Sequence, residues 1–341
     1  MRKFHEENER IKRRYFQFIR EADGKDEKTV EKVASAILRF EQDTGFKCFK
    51  RFNIEQVVAF KKRLSKATNQ QTRKPLSRST VDSILRELRG FFRYLAGQQG
   101  YKSKISYSDA AYFNNNMKDA RIAHTHRNIR FPTIEQAKHA FDQMPMEGEI
   151  AKRNRALFAF LMLTGTRIAA IASLKLKHID LIEECVYQDA NDVQTKRAKT
   201  FTTWFLPIGD EYKSAFYDWM NYLRTEKLLG NDDALFPKPN IIVSENGGFE
   251  MVGISHENYQ GSTALRNVIK NAFEAANLPA FGPHSFRRTL VNWGDKTYPE
   301  REAWKAFSLN IGHSDTATTM SAYYPISAER QAELIKRSKS T

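Results

Sequence analysis

Residues 282–294 read GPHSFRRTLVNWG and combine the start of a helix with a pair of basic side chains. Pro283 is typical of the first position of a helix. His284 and Arg287 are three residues apart, so they lie on one face of that helix and can grip one phosphate together. The other face is apolar and is expected to pack in the core through Phe286, Leu290 and Val291.

A second stretch, residues 163–181, reads LTGTRIAAIASLKLKHIDL. Gly165 is expected to end an apolar helix that covers residues 153–163, and to place Arg167 at the start of the next turn. Because leucine and isoleucine flank Arg167 on both sides, we expect its guanidinium to be largely desolvated and to need an anionic partner. A structural ion pair would meet the same need, so this stretch alone does not identify the partner.

The third stretch, residues 309–325, reads LNIGHSDTATTMSAYYP near the carboxyl end. Gly312 is expected to end a helix and to leave His313 in the turn. Tyr323 and Tyr324 follow beyond a short helix. Taken alone, a core or capping histidine and a tyrosine pair that packs are the simpler interpretations.

β-branched and aromatic residues alternate with polar ones at residues 185–188 and 201–206, which predicts a small sheet among helices. The fourth stretch, residues 191–211 (NDVQTKRAKTFTTWFLPIGDE), holds a lysine-rich turn with Lys196 and Lys199. By itself this turn fits a solvated hairpin.

Length and charge favour a two-domain protein with a polyanionic partner. The 341 residues carry a net charge of +15, with 55 basic against 40 acidic side chains, which points first to nucleic acid. Cys48 and Cys185 are far apart and form no CxxC pair, so neither a disulfide framework nor a thiolate metal site is predicted, and a reducing compartment fits. We find neither a secretion signal nor an apolar stretch long enough to span a membrane.

Helical spacing of apolar residues predicts a helical domain at residues 1–115, followed by a linker at 116–130 and a second domain at 131–341. In the first domain a helix is expected to begin after Ser79, with arginines on its exposed side. The polar, basic segment 66–78 is expected to be an exposed loop that reaches phosphates, although a solvated linker is an equal alternative. In the second domain Thr133 and Gln136 predict a capping box. The fold class is therefore mainly α with a small β-sheet.

Taken together, the four stretches resemble the tyrosine recombinases, the phage-type integrase family. Members of that family carry an arginine after a TG turn, a hairpin lysine, an H-x-x-R pair, a G-H-S turn and a tyrosine, in this chain order. The resemblance implies a SAM-like helical core-binding domain and a tyrosine-recombinase catalytic domain. It implies a catalytic set of Arg167, Lys196, His284, Arg287, His313 and Tyr323, with Lys199 open as the alternative lysine and Tyr324 as the alternative tyrosine.

Three departures from the family pattern affect that set. The family's usual acidic residue three after the first arginine is Ala170 here, so another group must orient Arg167. Ala322 holds the usual place of the tyrosine. We favour Tyr323, because it resembles the tyrosine of an integrase subset whose ending reads TT-x-x-SYG, where the tyrosine is shifted by one position in the same way. The lysine hairpin is also longer than the common short form.

The resemblance implies a DNA integrase or recombinase of a prokaryotic, phage or mobile-element origin that works through a 3′-phosphotyrosine, without metal or cofactor. The partners implied are double-stranded DNA and further copies of the chain, four in a synapse, with no membrane. A cytoplasmic, nucleoid-associated location follows. The tail at residues 327–341 is expected to form a short helix that docks on a neighbouring subunit, or alternatively on its own domain. Alternative functions are a DNA-relaxing enzyme of the type IB topoisomerase kind and an inactive DNA-binding regulator of the same fold.

Overall fold

The computed structural model describes residues 4–69, 72–124, 130–244 and 246–313 of the chain. It divides into two compact units, residues 1–127 and 128–341. Within the described residues no helix is both long and apolar enough to cross a membrane. The mainly helical architecture with small antiparallel sheets confirms the predicted fold class.

The first unit consists of helices around an aromatic core. They are α1 (Glu6–Glu21), α2 (Glu27–Asp43), α3 (Ile54–Leu64), α4 (Arg78–Ala96), α5 (Tyr107–Ala111) and α6 (Met117–His124), with a 3₁₀ turn at Phe49–Arg51. Phe40 is buried at the centre and meets the rings of Phe60 and Phe92 edge-on, with centroids 5.2 and 5.4 Å away. Such edge-to-face pairs add to the free energy gained from burying each ring.

Helix α4 begins two residues earlier than the sequence suggested, so the capping prediction for Ser79 is wrong. Ser77 is the N-cap, and its hydroxyl accepts a hydrogen bond from the Thr80 amide at 3.1 Å. Ser79 lies inside the first turn, where its hydroxyl contacts that of Ser77. Either serine fits the capping preference, and the backbone geometry selects the earlier one.

Residues 117–124, which the sequence placed in a linker, form α6 and belong to the first unit. Arg78 contacts Asp119 at 2.7 Å, and Asn115, just before the segment, lies 3.4 Å from Asp82, so the start of this segment is joined to α4. The helix carries few large apolar residues, which explains why hydrophobic spacing did not indicate it. The segment 66–78 is exposed at most of its described positions, as predicted.

The second unit surrounds a buried helix. Its helices are α7 (Ile134–Asp142), α8 (Glu149–Thr164), α9 (Ile168–Ile171), α10 (Asp210–Thr225), α11 (Thr263–Ala275), α12 (Pro283–Thr297) and α13 (Arg301–Asn310). From Ala156 to Thr164 no side chain of α8 is more than 1% exposed. The capping box predicted for Thr133 and Gln136 is present at the start of α7.

Two antiparallel sheets accompany these helices. The first has the order β1 (Ile179–Asp180), β2 (Cys185–Gln188) and β3 (Phe201–Trp204), with Val186 opposite Thr203. The second is a hairpin of β4 (Pro239–Val243) and β5 (Phe249–Ile254), which the sequence did not predict. Its apolar side chains are exposed on consecutive positions, so the strands lack the inside-outside alternation that identifies a half-buried strand.

Candidate active site

Arg287 is the buried centre of the candidate site. It lies one turn into α12, which begins at Pro283, and is 2% exposed. Its Nη1 donates to the carbonyl of Gly165, and its Nη2 donates to the carbonyl of Ile311 and lies 3.0 Å from His313 Nε2. One guanidinium therefore joins two turns that are far apart in the sequence.

The first of these turns follows α8. Gly165 has φ +59°, and a Cβ at this position would lie 2.9 Å from a Leu290 methyl, so both the backbone angle and the space favour glycine. The Thr164 hydroxyl donates to the Phe160 carbonyl and accepts from the Thr166 amide at 3.1 Å. These bonds fix the turn that leads into Arg167.

Arg167 is the N-cap residue of α9, as its position after the TG turn predicted. Its burial is intermediate, so most of the residue is covered, and its charge acts on His313. The flanking Leu163 is 1% exposed, and Ile168 packs against the core of this unit. Ala170, where the family carries an acid, is 1% exposed.

The second turn ends α13. Gly312 has φ +76°, and a Cβ there would lie 2.6 Å from the Phe201 ring. The following residue, His313, is 5% exposed, and its amide donates to the Ser308 carbonyl at 3.0 Å. The glycine thus allows the chain to pass β3 closely and to bring His313 against Arg287.

Asn310 at the end of α13 joins this turn to the sheet, and sequence reasoning missed it. The Trp204 amide donates to its Oδ1 at 2.7 Å, and its Nδ2 donates to the Trp204 carbonyl at 2.9 Å. The Thr203 hydroxyl donates to the Asn310 carbonyl at 2.8 Å. The side chain therefore pairs with the edge of β3 as another strand would, a role that an asparagine in a polar helix end does not reveal.

The lysine-rich connection runs from β2 to β3. Its backbone is tied to the segment after α9, because the Gln194 amide donates to the Ser173 hydroxyl at 2.8 Å. Lys196 is exposed, and the two residues after it have positive φ. Lys199 is half-buried and lines a groove of about 870 Å³ between β3 and α13 that also contains His313.

The electrostatics show which of the predicted residues come together. Burial first, and then the positive charges of Arg287, Arg167 and Lys196, together lower the pKa of His313 to about 3. Desolvation also lowers the pKa of His284, and the charges of Arg287, Arg288, Arg167 and Lys196 act in the same direction. Five of the six predicted residues are therefore close enough to act on one another.

Both imidazoles are neutral at pH 7 as a result of these shifts. A guanidinium only donates hydrogen bonds, so His313 Nε2 must accept from Arg287, and the ring proton of His313 lies on Nδ1. His313 is then a hydrogen-bond donor toward its surroundings, while His284 keeps an acceptor nitrogen. Two neutral histidines among cations suit an anionic ligand.

Arg288 is a further cation that the sequence did not single out. It follows Arg287, is 9% exposed, and is one turn from His284, on whose pKa it acts. Its position four residues after His284 was the available signal. Tyr323, Tyr324 and the predicted tail helix at 327–341 lie outside the described residues.

Residues 129–330 match the model of the phage integrase family. The chain belongs to this family. Among curated relatives of this integrase, the tyrosine recombinase XerC of Alcanivorax borkumensis is 23% identical over 245 residues, which cover 71% of the chain and 68% of the relative. XerC of Halalkalibacterium halodurans is 22% identical over 273 residues, or 76% of the chain and 75% of the relative.

Solved structures resemble the integrase over most of its length. A lambda integrase dimer bound to a COC′ core site has a TM-score of 0.64 at 14% identity, covering 93% of this chain and 95% of that one. The XerH recombinase bound to a palindromic difH substrate has a TM-score of 0.57 at 18% identity, covering 92% and 80%. At these identities the likeness shows the fold. The predicted identity, a tyrosine recombinase that cuts and rejoins DNA, is confirmed by the family match.

Proposed function

We propose that this integrase cuts and rejoins double-stranded DNA, one strand at a time, through a 3′-phosphotyrosine. The proposed machinery is the set predicted from the sequence: Arg167, Lys196, His284, Arg287, His313 and Tyr323. The observation that carries the proposal is the joint action of Arg287, Arg167 and Lys196 on both site histidines. Three cations that act on the same two imidazoles would provide the positive charge that stabilises a phosphodiester as it is attacked.

The arginines would hold the scissile phosphate. Negative charge builds on its non-bridging oxygens in the transition state, and each well-placed donor stabilises that state by about 3 kcal/mol. Arg287 is fixed by two carbonyls and a histidine, so its charge needs little reorganisation during the reaction. Arg167, half-buried at the start of α9, would approach from the other turn.

The histidines would take different parts in the attack. A tyrosine phenol has an ordinary pKa of about 10 and must lose its proton as the oxygen attacks phosphorus. His284 is neutral and keeps an acceptor nitrogen, so it would receive that proton. His313 already accepts from Arg287 and would donate its Nδ1 hydrogen to a phosphate oxygen.

The bond from phosphorus to the 5′-oxygen then breaks, and the leaving oxygen takes a proton. Lys196 would give this proton as the general acid. Its charge acts on both imidazoles, and it is exposed on a flexible stem. The strongest charges acting on these imidazoles do not include Lys199. A 5′-hydroxyl from the same or a second DNA can reverse the steps, because the phosphotyrosine ester keeps the bond energy.

Strand exchange needs more than one copy of the chain, and we propose a tetramer on two DNA sites. The lambda integrase neighbour is a dimer bound to a core site, and a further neighbour is the Tn1549 transposon integrase in complex with transposon right end DNA. The net charge of +15 and the exposed basic segment 66–78 suit phosphate contacts along the duplex, with strong salt dependence. We place this activity on a mobile element in a prokaryotic cytoplasm.

A nicked suicide duplex tests the proposal. Covalent adducts captured from fragmented DNA would first give the cleaved sequence. On a duplex with that sequence, the wild-type chain should form an adduct that survives SDS and in which the DNA is joined to the protein through the 3′ end of the cut strand. Tyr323→Phe should abolish this adduct. Tyr324→Phe is the matched control and should retain the adduct. Absence of any adduct from the wild type, or loss only in Tyr324→Phe, would refute the assignment.

A further inference from the structure

A group of mixed metal-ligating side chains lies in the first unit. His5 is the N-cap of α1, Glu7 lies in the first turn of that helix, and Cys48 precedes the 3₁₀ turn at Phe49–Arg51. One ligand atom from each of the three lies within 4.8 Å of the other two. In the described part of the chain, this is the only group of three or more His, Cys, Asp or Glu side chains so arranged.

Hydrogen bonds within the group join only two of the three donors. The Cys48 thiol donates to Glu7 Oε2 at 3.1 Å, while Lys50 Nζ donates to the other oxygen, Oε1, at 2.8 Å. His5 Nδ1 is buried and has no hydrogen-bond partner among the described residues. A sulfur, a carboxylate oxygen and a ring nitrogen thus face one another, and a single thiol proton lies between two of them.

The backbone on both sides is held in place by a buried asparagine. Asn8 is fully buried, and its side-chain amide donates to the Lys47 carbonyl at 3.0 Å and to Glu41 at 3.1 Å. Its Oδ1 accepts from the Phe49 amide at 3.0 Å. Asn8 therefore fixes the first turn of α1 against residues 47–49, which is the preorganisation that a metal site requires.

We propose that His5, Glu7 and Cys48 bind a zinc-class divalent ion, with water as the fourth ligand. Thiolate, imidazole and carboxylate together suit Zn²⁺ and its neighbours in the transition series, whereas Mg²⁺ and Ca²⁺ need oxygen ligands. The ion would replace the thiol proton between Sγ and Oε2. Lys50 would keep its bond to Oε1 and orient the carboxylate from outside, as hydrogen-bond partners of ligands commonly do.

Binding exchanges one proton for the ion, because the thiol must become a thiolate. Affinity should therefore rise with pH. The ion would join the start of α1 to the segment between α2 and α3, and so stabilise the first unit. The sequence did not indicate the site, because Cys48 lies 41 residues after Glu7 and no spaced motif joins them.

Cobalt replacement of zinc gives a direct test on the full chain without a histidine tag. Co²⁺ added to the wild type should produce the near-ultraviolet charge-transfer band of a cobalt thiolate, and Zn²⁺ should remove it. Cys48→Ser should lose the band, and Cys185→Ser, which changes the other free cysteine, should keep it. A wild type without the band, or one whose band depends on Cys185, would overturn the proposal.

A second variant guards against a folding defect in Cys48→Ser. The His5 side chain makes no capping hydrogen bond, so His5→Ala should leave α1 intact and weaken Co²⁺ binding at least tenfold. Zn²⁺ should also raise the thermal midpoint of the wild type and leave that of Cys48→Ser unchanged. Wild-type affinity in His5→Ala, or an equal thermal shift in Cys48→Ser, would contradict the assignment.

Discussion

Gly312→Ala tests how the site is built. The residue has φ +76°, which costs a non-glycine residue about 1–2 kcal/mol. Its new Cβ would lie 2.6 Å from the Phe201 ring, so the ring would have to retreat by about 0.8 Å to reach ordinary contact. Overpacking of this kind costs about 1–3 kcal/mol, and we expect a total loss of about 2–5 kcal/mol.

A matched glycine separates the two effects. Gly247 has φ +74° with nothing within 4 Å of an added Cβ, so Gly247→Ala should cost only the backbone term of about 1–2 kcal/mol. Urea denaturation of both variants measures the difference, and Phe201→Leu should restore part of the stability of Gly312→Ala. DNA cleavage should fall in Gly312→Ala, because His313 follows directly. Equal losses at the two glycines would refute the close approach of this turn to β3.

Lys196, His313 and the hydrogen bonds of Asn310 to β3 can each be tested by substitution. Lys196→Ala should lose most cleavage of ordinary DNA but recover on a substrate with a 5′-bridging sulfur, because the thiolate leaves without a proton. Lys199→Ala should cleave both substrates. If Lys196→Ala did not recover on the sulfur substrate, Lys196 would not be the acid. His313 has a folded pKa of about 3 against 6.5 unfolded, so the unfolded chain binds the extra proton and stability should fall by up to about 1.4 kcal/mol per pH unit from pH 6.5 down to 3. His313→Asn should flatten that slope in denaturation curves, and an unchanged slope would contradict the shift. Asn310→Ala removes both side-chain bonds to Trp204 and should cost about 1–3 kcal/mol in the same assay, while a loss near zero would mean that water replaces them.

Local rules in the sequence predicted much of the catalytic unit. Pro283, Gly165 and Gly312 each end or begin a helix where the sequence placed them, because backbone angles depend on the residue itself. The pairing of His284 with Arg287 on one face followed from helical spacing. The order of these motifs along the chain then suggested one site, and their mutual electrostatic effects agree with that expectation.

Other features depend on contacts that the local sequence does not encode. The carbonyl of Gly165 that Arg287 binds is 122 residues away, so no local pattern indicates this bond. The Nη2 of Arg287 lies 3.0 Å from His313 Nε2, 26 residues further along the chain, which no local pattern indicates either. The β4–β5 hairpin escaped prediction because its apolar residues are exposed. The end of β5 is joined to the start of α8, because Glu149 accepts a hydrogen bond from the Ile254 amide at 2.9 Å.

Comparing Arg287→Ala with the wild type on two substrates measures whether Arg287 neutralises the scissile phosphate. One has an ordinary scissile phosphate, and the other has a neutral methylphosphonate at the same position. Removing a charge-stabilising donor should slow cleavage of ordinary DNA by about 10²–10³. If Arg287 neutralises the phosphate, this penalty should shrink strongly on the methylphosphonate. An equal penalty on both substrates would mean that Arg287 acts only by holding Gly165 and Ile311 together, and would contradict the proposed site.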